Sequence, residues 1–244
     1  MSVVRLSENT CIILFEQTIT ADNFSRVKQL TEKIKNTMAS DLVDIVPSYA
    51  SIHITFNLLT LSGIGCQQRL EKLFASVDDV STDVSDSKTI EIPVYYGKEV
   101  ALDLPYLAEQ SQLSESEVID IHSGKTYDVY AIGFSPGFAY MGNVDSRIAT
   151  PRKETPRKKI AKGSVAIADQ QTAIYPSASP GGWQIIGRTP VQLIDYQREN
   201  LSELATGDHV KFTPINQQEF IALGGVLSDA SSELNCNAGG SSCR

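Results

Sequence analysis

The sequence has few of the residues that build metal centres and disulfide frameworks. Its 244 residues include four cysteines and three histidines, with no C-x-x-C pair and with the histidines far apart along the chain. This sparse pattern argues against a zinc site or a disulfide scaffold. Cys11 and Cys66 stand among apolar residues and are interpreted as reduced core thiols, which favours a cytoplasmic protein.

Long apolar runs and the motifs of autonomous catalysis are also missing. No run approaches the roughly 20 apolar residues of a membrane helix, and the start of the chain lacks the apolar segment of a secretory signal. The sequence contains no G-x-x-x-x-G-K-[ST] loop, and its serine, histidine and aspartate spacings assign no catalytic triad. We therefore expect no membrane partner, and we do not expect the chain to catalyse a reaction alone.

Positive charge is scarce except in one segment. The chain has 21 Lys and Arg against 29 Asp and Glu, which gives a net charge of −8. Nucleic-acid binding needs a broad basic face, so this balance argues against a nucleic-acid partner. Residues 147–162, however, contain seven basic side chains and one acidic side chain. We call this segment the basic island.

The first half of the chain has the periodicity of a small α+β domain. Apolar residues recur either every three or four positions, as in amphipathic helices, or at alternate positions, as in half-buried strands. The predicted order is strand 11–15, helix 24–38, strand 42–46, strand 51–56, helix 66–77 and strand 90–94. This β-α-β-β-α-β order is typical of a ferredoxin-like unit.

Two short helices are predicted over residues 104–121, between the two halves of the chain. Asp103 and Pro105 can start the first helix, and Ser114 with Glu117 forms the S-x-x-E pattern of a capping box for the second. His122 follows at the end of the second helix, where a cation would suit the helix dipole and a structural role is expected. We interpret the segment as a connector between domains.

Glycine and proline are concentrated between residues 133 and 190. This stretch holds six of the ten prolines and seven of the sixteen glycines. Short strands separated by so many glycines and prolines favour a β-barrel or a sandwich. The predicted strands are 127–132, 164–168, 172–175, 184–186 and 191–194. The loops between them are 133–138, 150–157, 169–172 and 179–184.

Four phrases in these loops resemble a known family. GFSPGFAYMG, TPRKETPR, GSVAIADQQTAIYP and SPGGWQIIGRTP occur in this order over about residues 127–194. They are similar to the allophanate hydrolase subunit 1 family, which includes the kinase A inhibitor and the B subunit of 5-oxoprolinase. The resemblance extends over roughly residues 1–215.

The resemblance implies a domain organisation. It implies an α+β fold with an N-terminal domain over residues 1–88 and a cyclophilin-like β-barrel over residues 89–218. The barrel domain includes the helical connector at 101–122. The tail at 228–244 is polar and rich in glycine and serine, and we expect it to be flexible.

The resemblance also implies partners and an activity. Together with the C and A subunits, the family member of 5-oxoprolinase opens the lactam of 5-oxoproline to glutamate at the expense of ATP. A second family role is the inhibition of a sporulation-type sensor histidine kinase by protein binding. A third is a carboxyltransferase component in urea and allophanate metabolism. Of these three roles, the resemblance favours the B subunit of 5-oxoprolinase, and the other two are kept as alternatives.

Some positions depart from the usual family pattern. Family members commonly have G-I-A-G-G-Q-T-G-I-Y-P where this chain has A-I-A-D-Q-Q-T-A-I-Y-P. They also commonly have Y-L-G-G-L where this chain has Y-M-G-N-V. Extra Cβ atoms restrict how closely a backbone can approach a ligand. The residues that differ include Ala166, Asp169, Gln170, Ala173, Met141 and Asn143.

The four loops supply the candidate site residues. Arg152 and Arg157 can bind a carboxylate or phosphate in bidentate fashion, although the basic island can equally be a solvated loop or a docking surface for an acidic partner. Gln171 and Thr172 offer an amide and a hydroxyl for ligand contact. These four side chains are the polar part of the predicted site.

Apolar and glycine positions complete the candidate set. The Gly181-Gly182 pair can expose backbone N–H groups or form a tight turn. Trp183 and Tyr175 can line a pocket or be buried in the barrel. A further set can form an apolar docking ridge or pack the barrel end, and it consists of Phe134, Pro136 and Phe138.

Overall fold

The computed structural model describes residues 2–16, 20–75, 89–197 and 201–227. Its internal contacts divide the chain into two compact units, Met1–Ser87 and Lys88–Arg244. Each unit has its own apolar core. The end of the helix predicted at 66–77 and the predicted tail at 228–244 lie outside the described residues.

The first unit is a four-stranded antiparallel sheet with two helices. Its strands follow the order β1-β2-β4-β3 across the sheet. Both helices bury apolar residues in the single core cluster of this unit. In chain order the elements are β1 (Ser2–Arg5), β2 (Thr10–Leu14), α1 (Ala21–Met38), β3 (Leu42–Ser48), β4 (Ser51–Phe56) and α2 (Gly63–Ala75).

Helix α1 forms as its sequence predicts. The Thr20 side chain caps it by accepting a hydrogen bond from the Asn23 backbone N–H at 3.2 Å. The apolar residues at its three- and four-residue spacing are buried. Cys11 and Cys66 lie in the same core as free thiols, and burial raises the pKa of Cys66 to about 12. Both cysteines are therefore core residues, as predicted.

The strand predicted at 90–94 does not complete this unit. Strand β5 (Thr89–Tyr95) belongs to the barrel of the second unit, so the β-α-β-β-α-β assignment of the first half is wrong at its last strand. The edge position beside β2 is instead occupied by β1, from the start of the chain. Alternating apolar residues identify a half-buried strand, but they do not identify its pairing partner.

The second unit is a closed seven-stranded β-barrel, which confirms the predicted barrel. Around the barrel the strands follow the order β10-β7-β6-β13-β5-β12-β9. Besides β5, they are β6 (Thr126–Ile132), β7 (Ala139–Gly142), β9 (Ser164–Ala168), β10 (Gln171–Ile174), β12 (Gln184–Arg188) and β13 (His209–Ile215). Two further strands, β8 (Arg157–Ile160) and β11 (Ser179–Gly181), form a separate two-stranded ribbon.

Three helices belong to the barrel unit. Helices α3 (Leu104–Ser111) and α4 (Glu115–Ser123) occupy the predicted connector, and α5 (Gln217–Ala222) follows β13. The predicted capping box is present, because Ser114 accepts from the Glu117 N–H at 3.2 Å while Glu117 accepts from the Ser114 N–H at 2.8 Å. In the described part of the chain, no helix combines the length and apolarity needed to cross a membrane.

The strand predicted at 191–194 is absent from the described barrel. There the chain forms only an isolated bridge between Ile194 and Ser202. Pro190 lacks an N–H, and the Val191 N–H donates to the Thr189 hydroxyl at 3.1 Å instead of to a neighbouring strand. The barrel is closed instead by β13, whose parallel pairing with β5 joins distant parts of the sequence.

Two of the family's glycine positions keep a glycine-like backbone. Asp169 has φ of 52° and Asn143 has φ of 65°, both in the left-handed region. Asn and Asp are among the non-glycine residues that adopt this region most readily. The Asp169 N–H also donates to Thr150 O at 2.7 Å. The turn before Gln171 therefore keeps a left-handed backbone without its glycine.

Candidate functional site

An aromatic cluster covers one outer face of the barrel. Small side chains on β9 and β10 form its floor, and Ala166 and Ala173 there are fully buried. Phe138 lies at its centre, with ring centroids 5.7 Å from Trp183 and 5.3 Å from Tyr175, both edge-to-face. The alanines that stand at two family glycine positions therefore pack beneath aromatic rings.

The loop between β6 and β7 carries the cluster to the surface. Phe134 stacks edge-to-face on Phe138 at 5.3 Å, yet its side chain is 66% exposed and its φ is 68°. Pro136 is exposed as well, whereas Phe138 is buried. The predicted apolar ridge therefore has two exposed members and one buried anchor.

Arg152 extends this surface with a positive charge. Its guanidinium carbon lies 5.6 Å from the centroid of the Trp183 ring, in cation–π contact, and its side chain is exposed. Trp183 itself is only 5% exposed. We call the group formed by Phe134, Pro136, Arg152 and Trp183 the aromatic–arginine surface.

Arg157 is held inside the protein by a buried carboxylate. Its two terminal nitrogens each donate to Asp103 at 2.8 Å, and Lys153 Nζ lies 3.1 Å from the same carboxylate. The Ile185 backbone N–H also donates to Asp103, at 2.7 Å. Both terminal nitrogens of Arg157, for which a bidentate ligand contact is predicted, are therefore engaged by Asp103 within the protein.

The charge state of Asp103 follows from these bonds. Burial alone would raise the pKa of Asp103, but hydrogen bonds from Arg157, the Ile185 N–H and Lys153 outweigh it and hold the pKa below its usual range. Asp103 is therefore a carboxylate that fixes the basic island against the start of α3. The sequence indicates only that Asp103 starts a helix, and its side chain makes no cap hydrogen bond.

Thr172 faces the barrel interior rather than a ligand. Its hydroxyl donates to Ala166 O at 3.0 Å and lies 3.0 Å from His122 Nε2, and both side chains are fully buried. Because the hydroxyl proton goes to Ala166, Nε2 must carry the proton toward Thr172, and Nδ1 accepts from the Tyr96 hydroxyl at 2.9 Å. Its neighbour Gln171 is only partly buried.

His122 is neutral in this environment. It stacks on Phe212 with ring centroids 4.6 Å apart, and burial lowers the pKa of His122 to about 3. The expected structural role agrees with this placement, but the expected cation at the helix end does not. Burial in the low-dielectric interior favours the uncharged imidazole, and this effect outweighs the attraction of the helix dipole for a charged one.

Tyr175, Gly181 and Gly182 hold the loops together. The Tyr175 hydroxyl is hydrogen-bonded by the Trp183 backbone, and burial raises the pKa of Tyr175 to about 12. A Cβ on Gly181 would lie 2.3 Å from that hydroxyl, so only glycine fits there. The Gly182 carbonyl accepts from the Lys153 N–H at 2.7 Å. These residues pack the site and hold its loops in place. For the Gly181-Gly182 pair, the sequence also allowed a role as exposed backbone N–H donors.

The geometry defines a recognition surface. Cation, aromatic faces and an exposed apolar tip lie together on the barrel, and they can bind a planar or anionic group or dock a protein. Within the described ranges, no group of three His, Cys, Asp or Glu side chains could hold a metal ion. The class defined by the fold is a two-unit α+β protein whose barrel carries this candidate binding surface.

Comparison with known proteins places the chain in a family. Residues 1–204 match the family described as carboxyltransferase domain, subdomain C and D, and the chain belongs to it. It is 33% identical over 228 residues to the 5-oxoprolinase B subunit of Bacillus subtilis, covering 90% of this chain and 95% of the relative. It is 45% identical over 147 residues to the protein of the same name in Haemophilus influenzae, covering 59% and 67%.

A solved structure supports the fold. The urea carboxylase of Kluyveromyces lactis aligns with a TM-score of 0.73 at 17% identity, over 90% of this chain and 22% of that protein. At this identity the likeness concerns the fold alone. The fold predicted from the four sequence phrases, with a barrel after an α+β unit, is confirmed.

Proposed function

We propose that the chain is the B subunit of an ATP-dependent 5-oxoprolinase and is active only together with its C and A partner subunits. The observation that carries the proposal is the 33% identity to a protein named as the B subunit of 5-oxoprolinase, over 95% of that relative's length. The complex would convert 5-oxo-L-proline to L-glutamate. In this assignment the chain contributes binding groups rather than a complete set of catalytic groups.

The reaction explains why several chains are needed. A five-membered lactam is a poor electrophile, and phosphorylation of its amide oxygen by ATP, with release of ADP, would activate the lactam carbon. Water would then add to this carbon, and the C–N bond would break with the ring nitrogen leaving as the amine, which gives an acyl phosphate. A second water would hydrolyse the acyl phosphate to glutamate and phosphate. Such a site must bind triphosphate charge, polarise a carbonyl and orient a nucleophile. No phosphate-binding loop motif occurs in this sequence, so we assign ATP to the complex as a substrate.

Arg152 is the residue we assign to anion recognition. Its guanidinium is exposed and lies 5.6 Å from the Trp183 ring centroid, which restricts its orientation without neutralising it. A guanidinium presented in this way can bind the carboxylate of 5-oxoproline or a phosphoryl group in bidentate fashion. Arg157 has no such role, since Asp103 holds it.

Phe134 is the residue we assign to docking of a partner protein. A bulky residue in the left-handed region costs roughly 1–2 kcal/mol, and contact with Phe138 leaves Phe134 66% exposed in the isolated chain. Contact with a partner would bury this ring at the edge of the shared site. Pro136, in the same loop, would extend the contact.

Co-expression with the A and C subunits tests the assignment. We expect ATP-dependent release of glutamate from 5-oxoproline, and we expect its loss when this chain is omitted. Full activity without this chain would overturn the proposal. In the complete complex, Arg152→Ala should raise KM for 5-oxoproline or ATP while leaving complex formation intact. Arg147→Ala is the matched control, because Arg147 is an exposed arginine that pairs with Asp145 and does not belong to the aromatic–arginine surface.

A carboxyltransferase role is the second candidate, because the matching family is described by that activity. It would require a biotin-carrying partner and urea as acceptor. The same purified proteins, tested with urea and a carboxylated biotin carrier, distinguish the two activities. A third role, inhibition of a sensor histidine kinase, is tested by titrating the chain into kinase autophosphorylation assays.

A further inference from the structure

A cavity lies at one end of the β8–β11 ribbon, and the aromatic–arginine surface lies at the other end. The ribbon pairs Gly181 with Arg157 at one end and Ser179 with Ile160 at the other. Beyond the second end is a half-open cavity of about 440 Å³. Its volume falls in the range of about 300–1,000 Å³ that is usual for small-molecule sites.

The charges around this cavity all have one sign. Lys159, Lys162 and Arg188 line it, and no Asp or Glu is among its lining residues in the described part of the chain. This is unusual for a protein whose net charge is −8. Lys159 and Lys162 are exposed in this cavity, so their ammonium groups can contact an anion directly.

The fold brings these cations together through a tight contact. Gly163 has φ of 82°, and a Cβ there would lie 2.4 Å from Thr189 O and 3.4 Å from Arg188 Cγ. The turn that carries Lys162 is therefore pressed against the strand end that carries Arg188. Only glycine permits this approach.

The segment after α5 holds the buried Arg188 in place. Arg188 is 4% exposed, and its Nη1 donates to Val226 O at 2.8 Å. The segment with Val226 follows α5, and the Gly225 N–H holds it by donating to Phe220 O at 2.8 Å. Arg188 is thus a fixed, buried charge, whereas the two lysines at the rim are exposed and can adjust to a ligand.

We infer that this cavity binds a small polyanion, of the class of a diphosphate, a triphosphate or a nucleotide carrying them. Three cations line the same cavity, and lysines bind phosphate as mobile point charges beside a fixed guanidinium. Apolar residues also line the cavity, among them Val191 and Phe220, and they can contact an uncharged part of the ligand. The inference does not depend on the proposed oxoprolinase activity, because the isolated chain can be tested.

The test is calorimetric titration of the full chain with pyrophosphate, ADP and ATP, using L-glutamate as the monocarboxylate comparison. At low salt we expect a dissociation constant of about 1 mM or tighter for at least one phosphate ligand. Affinity should fall as salt rises from about 50 to 200 mM. Absence of binding by all three phosphates, or binding of glutamate alone, would overturn the assignment.

Matched variants locate the binding. Lys159→Ala and Lys162→Ala should each weaken the affinity about tenfold, since each removes one charge contact. Lys158→Ala removes the same charge from the neighbouring position of β8, which does not line the cavity, and it should bind like the parent. Equal losses in all three variants would indicate nonspecific attraction and count against the cavity. Loss only in Arg152→Ala would place the anion at the aromatic–arginine surface instead.

Discussion

Single residues decide which candidate groups remain available to a ligand. Arg152 and Arg157 occur in the same phrase, and the sequence treats them alike. The difference arises from Asp103, about fifty positions earlier in the chain, whose carboxylate binds Arg157 through two bonds of 2.8 Å. No local pattern identifies such a partner, because the pairing depends on how the connector packs against the barrel.

Thr172 shows the same limit for side-chain direction. The loop predicted at 169–172 is shorter in the structure, because β10 begins at Gln171. Alternation along β10 turns Thr172 into the barrel and leaves Gln171 partly exposed. A shift of one residue in the strand register would exchange the two. The sequence therefore locates the loop but does not decide which of its two polar residues faces a ligand.

The left-handed turn residues provide a stability prediction. Asp169→Gly should leave the free energy of unfolding unchanged or raise it, since glycine adopts φ of 52° without steric cost. Gln170→Gly is the control, because Gln170 is also a family glycine position but its φ is not positive, and there we expect a loss of about 0.5–1 kcal/mol. Urea unfolding measures both, and equal losses would contradict the argument.

The buried imidazole provides a pH prediction. His122 has a pKa of about 3 when folded and ordinarily about 6.5. Its unfolded form therefore binds more protons between these values, so stability is fully present above about pH 6.5 and declines as pH falls below it. The expected slope is about 1.4 kcal/mol per pH unit. In urea unfolding, His122→Gln should reduce the slope of the unfolding free energy against pH between about pH 4.5 and 6.5. An unchanged slope would show that other groups cause the pH dependence.

Helices formed by local signals agree with their predictions, whereas strand β13 and the pairing of β5 depend on distant contacts and are not predicted. Helix α1 has its Thr20 cap and α4 has its capping box, and both depend on residues within a few positions of each other. Strand β13 pairs in parallel with β5 across more than half of the barrel unit's sequence. Such pairing leaves little trace in local periodicity, which is why the sequence does not predict β13.

The junction between the connector and the basic island provides an element-scale prediction. Asp103→Ala should destabilise the barrel unit by about 3 kcal/mol or more, because Arg157 loses a buried partner and the Ile185 N–H loses its acceptor. Asp145→Ala, which removes the partner of the exposed Arg147, should change stability little. Urea denaturation compares the two. Similar effects would show that the Asp103 network does not hold the island.

At the scale of the whole molecule, the division of the chain determines where it can be cut. The family resemblance implies a boundary near residue 88, while the β-α-β-β-α-β interpretation assigns strand 90–94 to the first half. The two statements disagree about a single strand. In the structure β5 lies between β13 and β12 in the closed barrel, and its residues Ile92 and Val94 are buried in the barrel core.

Two truncations make this division testable. A fragment that begins at residue 88 keeps all seven barrel strands, and we expect it to unfold in one cooperative urea transition. A fragment that begins at residue 97 lacks β5, which leaves unpaired edges on β12 and β13 and removes Ile90, Ile92 and Val94 from the core. It should aggregate or lose near-UV circular dichroism. If both fragments folded equally well, β5 would be dispensable to the barrel, and its assignment to the second unit would have no energetic meaning.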